Sequence, residues 1–175
     1  MKKVLVVIGS ARKGRVADKV TALVNADLGN REDITVETVD LAELKLPFFD
    51  NEHAPSNPDY KVENEIVREW GNLVSGSDIV VLVTPEYNHN LSAIEKNAID
   101  SLFAEWNDKS VIVVSYGWSG GSKAVAAIRE LAPVVKMNLE STAELFFMKD
   151  LQLDGTMIDG GEATSKVAAA LDVIS

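Results

Sequence analysis

The sequence contains no cysteine. Thiol nucleophiles, thiolate metal sites and disulfides are excluded together. Only two histidines occur, His53 and His89, so a histidine-based metal cluster is not expected. Basic residues number 17 against 27 acidic ones, a net charge of −10. So acidic a chain is a poor partner for nucleic acid or anionic membrane. No apolar stretch approaches the ~20 residues that cross a bilayer. The opening run, Val4-Leu5-Val6-Val7-Ile8, is too short for a secretory signal and no Ala-x-Ala site follows it. A cytoplasmic protein is expected.

What is present is an ordinary globular composition, 46% hydrophobic and 25% charged over 175 residues. A chain of this length buries about 70% of its unfolded surface and needs no covalent staple. Strand and helix patterns alternate throughout. Residues 3–8, 34–40, 78–84, 111–115 and 139–148 read as strands. Helical spacing follows at Val16, Val20, Leu23, Val24 and Leu28, and again from Val62 to Val74. Further helices are expected over 91–106, around Val125–Val135 and over 163–174. Residues 41–58, with Pro47, Pro55 and Pro58, read as a long irregular segment. No repeat or linker interrupts the pattern, so one domain is expected over 1–175. Strands separated by helices imply βαβ units and a parallel sheet. Five such units fit an α/β three-layer sandwich of order 2-1-3-4-5, the flavodoxin-like arrangement, with its switch point between the first and third strands.

Ligands bind outside the carboxyl ends of such strands. The loop after the first strand is Gly9-Ser10-Ala11-Arg12-Lys13-Gly14-Arg15-Val16. It offers glycines for tight turning, a hydroxyl, two guanidinium groups and the N–H groups that open a helix. Lys2, Lys3, Arg12, Lys13, Arg15 and Lys19 are six of the 17 basic residues, opposed in that stretch only by Asp18. A basic patch in an acidic chain points to a small phosphorylated ligand. Two nucleotide motifs fail. Gly9 and Gly14 have P-loop spacing, but Arg15 and Val16 stand where Lys and Ser/Thr are required, and no Gly-x-Gly-x-x-Gly is present. A βα turn with exposed basic side chains is the alternative.

The third strand runs into Pro85-Glu86-Tyr87-Asn88-His89-Asn90. Pro85 fixes the backbone and is expected to end the ladder. Tyr87 suits contact with a flat ring, and backbone N–H groups at Glu86–Asn88 suit its polar edge. The alternative is a helix start, with Asn90 or Ser92 as cap and Glu95 completing a box with Ser92. His89 reads as a helix-entry residue. After the fourth strand, Ser115-Tyr116-Gly117-Trp118-Ser119-Gly120-Gly121-Ser122 allows a ligand close to the backbone, or is a flexible turn capped by Ser122. Three loops at one edge suit the phosphate, ring face and ring edge of one mononucleotide.

These residues resemble the NADPH-dependent FMN reductase family, which includes quinone-, azo- and chromate-reducing members. Its carriers are the loop Gly9 to Val16, Pro85-Glu86-Tyr87-Asn88-His89, Lys96-Asn97-Ala98-Ile99-Asp100, and Ser115-Tyr116-Gly117 with Gly120-Gly121. The resemblance implies that Ser10, Arg12, Arg15 and the Val16–Ala17 backbone bind the phosphate of FMN. It implies that Pro85, Glu86, Tyr87 and Asn88 run beside the isoalloxazine, and that Ser115, Tyr116, Gly117 and Gly120 close the other side. Asn90-Leu91-Ser92-Ala93 and Asp100-Ser101-Leu102 depart from the family pattern at the expected substrate mouth and subunit contact.

The expected activity is an FMN-dependent oxidoreductase in which NAD(P)H gives hydride to the flavin and a flat acceptor replaces it. Quinones, flavins, azo compounds and metal oxyanions are the acceptor classes, and no side-chain catalyst is named. Two alternatives stand: a flavin-binding electron carrier or redox-responsive protein without NAD(P)H activity, and an interaction module that has lost the cofactor. A homodimer or homotetramer is expected, because apolar residues over 91–106 spread around roughly half of a helix. A helix sandwiched in its own domain is the alternative.

Overall fold

The computed structural model describes residues 1–174. Five parallel strands form one sheet: β1 (Lys2–Ile8), β2 (Ile34–Asp40), β3 (Ile79–Pro85), β4 (Ser110–Gly117) and β5 (Asn138–Phe146), in the order β2-β1-β3-β4-β5. The helices are α1 (Ala17–Gly29), α2 (Leu41–Leu44), α3 (Glu65–Ser75), α4 (Ala93–Asp100), α5 (Ser122–Val135) and α6 (Ala163–Leu171). This is the topology expected from the alternating pattern.

Successive strand residues face opposite sides of a sheet. Val4, Val6, Ile8, Val81, Val83, Ile112 and Val114 therefore share one core with α1 and α6. Leu5, Val7, Val80, Leu82, Val111 and Val113 share the other with α3, α4 and α5. Both faces are covered, which is why the strands read as unbroken aliphatic runs. Each such side chain contributes about 1.5–3 kcal/mol by leaving water.

Three sequence expectations need correction. Pro85 does not end the ladder. It pairs in register with Tyr116, and the next residue, Glu86, donates its N–H to Tyr116 O at 3.3 Å. The N–H that proline lacks would have pointed away from β4, because successive strand residues direct their N–H groups to opposite sides, so the β3–β4 pairing continues through it. The helix expected over 91–106 stops at Asp100, and a separate 3-10 turn covers Ala104–Trp106. Its last carbonyls have been claimed by side chains. The Trp70 indole donates to Ala98 O at 2.8 Å and the Trp106 indole to Ile99 O at 3.1 Å. A helix end needs such partners for its orphan carbonyls. Finally, the irregular segment over 41–58 begins with α2, capped where Asp40 accepts from Ala42 N at 2.9 Å.

The break in α4 changes the assembly reading. Leu91, Ala98, Ile99, Leu102 and Trp106 are buried in this chain's own core, with Ile94 and Phe103 packed against it. The breadth of that apolar face is satisfied within one chain and gives no support to a second subunit.

Candidate functional site

β1 and β3 are neighbours, yet the chain leaves them toward opposite sides of the sheet. The crevice that opens there is a cavity of about 670 Å³. It is lined by the loops after β1, β3 and β4, joined by Phe147 and Leu153 from the chain beyond β5.

The first loop is anchored from below. Gly9 N–H donates to Val83 O at 3.0 Å, and Ser92 Oγ donates to Gly9 O at 2.5 Å. A Cβ on Gly9 would stand 2.8 Å from the Glu95 carboxyl, so any side chain at residue 9 must displace that carboxyl. Gly14 turns the loop at φ +64° in open space. Arg15 then folds back onto its own loop, donating to Ser10 O at 2.6 Å and to Asp18 Oδ1 at 2.7 Å. It also meets both carboxylate oxygens of Asp40 at the end of β2. That bidentate pair holds the Asp40 carboxyl below the usual carboxylate range. Arg12, by contrast, is exposed, and its guanidinium has no protein partner among the described residues. The N-terminus of α1 carries no side-chain cap, so its first N–H groups remain for an anion.

The loop after β3 is a two-residue turn. Tyr87 and Asn90 exchange backbone hydrogen bonds of 3.0 Å in each direction. Asn88 and His89 between them have φ of 51° and 63°, the pattern of a type I′ turn. The Tyr87 hydroxyl lies 2.6 Å from Ser10 Oγ and ties this loop to the first. Glu86 ties it to the third. Its carboxylate accepts from Ser119 Oγ at 2.9 and 3.0 Å and from Lys123 N–H, at the start of α5, at 3.0 Å.

At the end of β4, Tyr116 is 5% exposed. Burial, with the Tyr87 hydroxyl adding to it, pushes its phenol up. Trp118 is 69% exposed and packs edge-on against Phe147, with centroids 5.9 Å apart. Gly121, at φ +83°, is the N-cap of α5, where Ser122 was an expected cap. A Cβ there would stand 2.5 Å from that of Ser115.

Of the residues singled out in the sequence, Ser10, Arg12, Arg15, Val16, Pro85, Glu86, Tyr87, Asn88, Tyr116 and Gly117 line the cavity. Ala17 and Ser115 are wholly buried. Ser115 Oγ donates to Gly120 O at 2.7 Å, so these two residues brace the loop from beneath. Gly14, His89, Trp118, Ser119, Phe147 and Leu153 complete its lining. The alternation of strands and loops could have flagged Trp118, which sits between two glycine signals. Nothing local marks Phe147 or Leu153.

Glu95 has no exposure at all. The expected capping box is half made: Glu95 N–H donates to Ser92 Oγ at 3.2 Å, but its side chain turns inward. Glu95 Oε1 accepts from Thr84 Oγ1 at 2.8 Å, and Oε2 has no partner among the described residues. Burial pushes this carboxyl up to about 8, against the opposing effect of Thr84. Among the described residues no helix is long and apolar enough to cross a membrane, and no cluster of acidic and histidine side chains could hold a metal ion.

Residues 2–151 match the family NADPH-dependent FMN reductase. The NAD(P)H-dependent FMN reductase LOT6 of Saccharomyces cerevisiae is 36% identical over 146 residues, covering 78% of this chain and 76% of that protein. An NADPH azoreductase of a Bacillus species is 31% identical over 91% of this chain and 81% of its own length. Among solved structures, the flavoenzyme NAD(P)H:(acceptor) oxidoreductase FerB of Paracoccus denitrificans superposes with a TM-score of 0.74 at 24% identity, covering 98% of this chain and 96% of that one.

Proposed function

Because the chain belongs to the NADPH-dependent FMN reductase family, we propose that the crevice between β1 and β3 is its FMN site, with the phosphate on the first loop and the ring between the other two. The protein is an NAD(P)H-dependent oxidoreductase that uses FMN. When bound, FMN supplies hydride transfer between NAD(P)H and an acceptor. The chain's own residues hold, orient and shield.

The observation that carries the site assignment is the Ser10–Tyr87 contact of 2.6 Å beside an unpaired Arg12 and an uncapped α1. A hydroxyl, a guanidinium and free N–H groups converge on one end of a cavity whose size suits a mononucleotide. The donor set fits a phosphate. Arg12 and the N–H groups of Val16 and Ala17 take it directly. Arg15 shapes the loop, because Asp40 and Asp18 already claim its guanidinium. Pro85, Glu86, Tyr87 and Asn88 flank one side of the ring, with Tyr116 and Gly117 opposite. Ser115 and Gly120 support them from below. Titrating FMN into wild-type and Arg12→Ala protein tests this. Equal affinity would remove the phosphate assignment.

The acceptor is proposed to be a quinone or another flat oxidant such as an azo compound. Phe147 and Trp118 give the cavity an aromatic wall that suits a flat ring. A homodimer or homotetramer in the cytoplasm is further proposed. The support for assembly is the exposure of Phe48, 77% open on the loop beyond α2. A monomer by light scattering at micromolar concentration would end that reading.

A further inference from the structure

Reducing a quinone takes more than a hydride. The hydride brings two electrons and one hydrogen, and a separate proton must reach the remaining oxygen. Few side chains lining the cavity can supply it. Arg12 and Arg15 do not release protons in the accessible range. Tyr87 is committed to Ser10 at 2.6 Å. Tyr116 is buried in the wall. The Glu86 carboxylate is occupied as an acceptor by Ser119 and Lys123 N–H.

His89 remains, and its setting is unusual. It occupies the second position of a type I′ turn at φ 63°, where glycine is the favoured residue. Strained backbone of this kind clusters at functional sites. The side chain is 79% exposed at the cavity wall, and Nδ1 stands 3.4 Å from Glu86 Oε1. Glu86 is itself fixed from the far side, so its carboxylate holds a set position beside the ring. Nε2 lies on the opposite edge of the ring, with no protein partner among the described residues. Imidazole is the side-chain class that exchanges protons with water near neutral pH.

We propose that His89, oriented by Glu86, donates the proton that completes reduction of a quinone-class acceptor. This rests on the reductase reading above. The hydride leaves its donor with both electrons and bonds to the acceptor, which is reduced as the donor is oxidised. The Nε2–H bond breaks, and its proton bonds to the second acceptor oxygen, giving neutral hydroquinone. The imidazole takes a proton back from solvent. No other charged group stands within ion-pair distance of the ring among the described residues.

The test compares two acceptors in the FMN-loaded protein. Benzoquinone needs the proton, whereas ferricyanide takes single electrons and no proton. His89→Asn retains a residue that tolerates the left-handed turn and removes the acid. Turnover with benzoquinone is expected to fall by a factor on the order of 100 more than turnover with ferricyanide. The pH dependence of the quinone reaction should flatten in the same variant. Equal losses with both acceptors, or none with either, would overturn the assignment. In a second measurement, NMR relaxation of the His89 imidazole should report a more mobile ring in Glu86→Gln. Unchanged ring mobility would remove Glu86 as its orienting partner. Wild-type protein that oxidises NAD(P)H with neither acceptor would sink the reductase reading, and the proton donor with it.

Discussion

Ser10 and Tyr87 sit 77 residues apart in the chain, and their hydroxyls meet at 2.6 Å. One comes from the loop after β1 and the other from the loop after β3. That contact ties together the two loops proposed to hold the phosphate and the ring of FMN. Tyr87→Phe should therefore loosen FMN without unfolding the chain. A net hydrogen bond is worth about 1 kcal/mol, so affinity should weaken roughly fivefold. Fluorescence titration reads it, and unchanged affinity would mean that the contact is incidental.

Arg12 and Arg15 should separate cleanly. Arg12→Ala removes a side chain with no protein partner. FMN affinity should fall by roughly 10- to 100-fold, the loss of one charge-assisted hydrogen bond, while Tm stays level. Arg15→Ala strands the Asp40 carboxylate, only 15% exposed, without its partner. It should lower stability by about 1–3 kcal/mol as well as weaken FMN. Urea denaturation of both ligand-free variants decides the point. Equal stabilities would contradict the division of labour.

Glu95 gives a pH signature of unusual sign. Its folded-state carboxyl is raised to about 8 by burial, above its unfolded value. Between roughly pH 4.5 and 8 the native state therefore binds more protons than the unfolded state. Stability then declines as pH rises through that window, by up to about 1.4 kcal/mol per unit from this group, and levels off above it. Below the window the group contributes nothing. Glu95→Gln should remove this decline and gain on wild type between pH 5 and 8. Parallel Tm curves for the two proteins would show that the carboxyl ionises freely in the native state.

Trp70→Phe tests the end of α4. Ala98 O loses the donor now 2.8 Å away, and the smaller ring leaves a void where part of the indole packed. A cost of about 1–3 kcal/mol is expected from the buried, unpaired carbonyl. Hydrogen exchange should quicken in α4 before it does in the sheet. Uniform exchange throughout would argue that Trp106 alone holds the helix end.

The sheet was legible because β1, β3 and β4 are unbroken aliphatic runs, and because each loop is marked by glycine or proline. The lining of the candidate cavity was legible where a motif lies within one loop, as in Glu86-Tyr87-Asn88. It was not legible where a residue's role depends on a distant one. Arg15 counts as free positive charge until Asp40, 25 residues on, takes it. Residues 91–106 look like one helix because the spacing of Leu102 and Trp106 continues the stripe. Only the tertiary fold brings Trp70 to Ala98. Phe147 and Leu153 reach the cavity from the chain beyond β5, and no periodicity announces that approach. Nor does any local pattern separate Glu95 from an ordinary capping-box glutamate. Its burial follows from the way α4 seats against Gly9 and Thr84.

The 2.8 Å between the Glu95 carboxyl and the absent Cβ of Gly9 also has an evolutionary meaning. The two positions are coupled. A side chain at residue 9 requires the Glu95 carboxyl to swing away from Thr84, so a change at either position should come with a change or a rearrangement at the other.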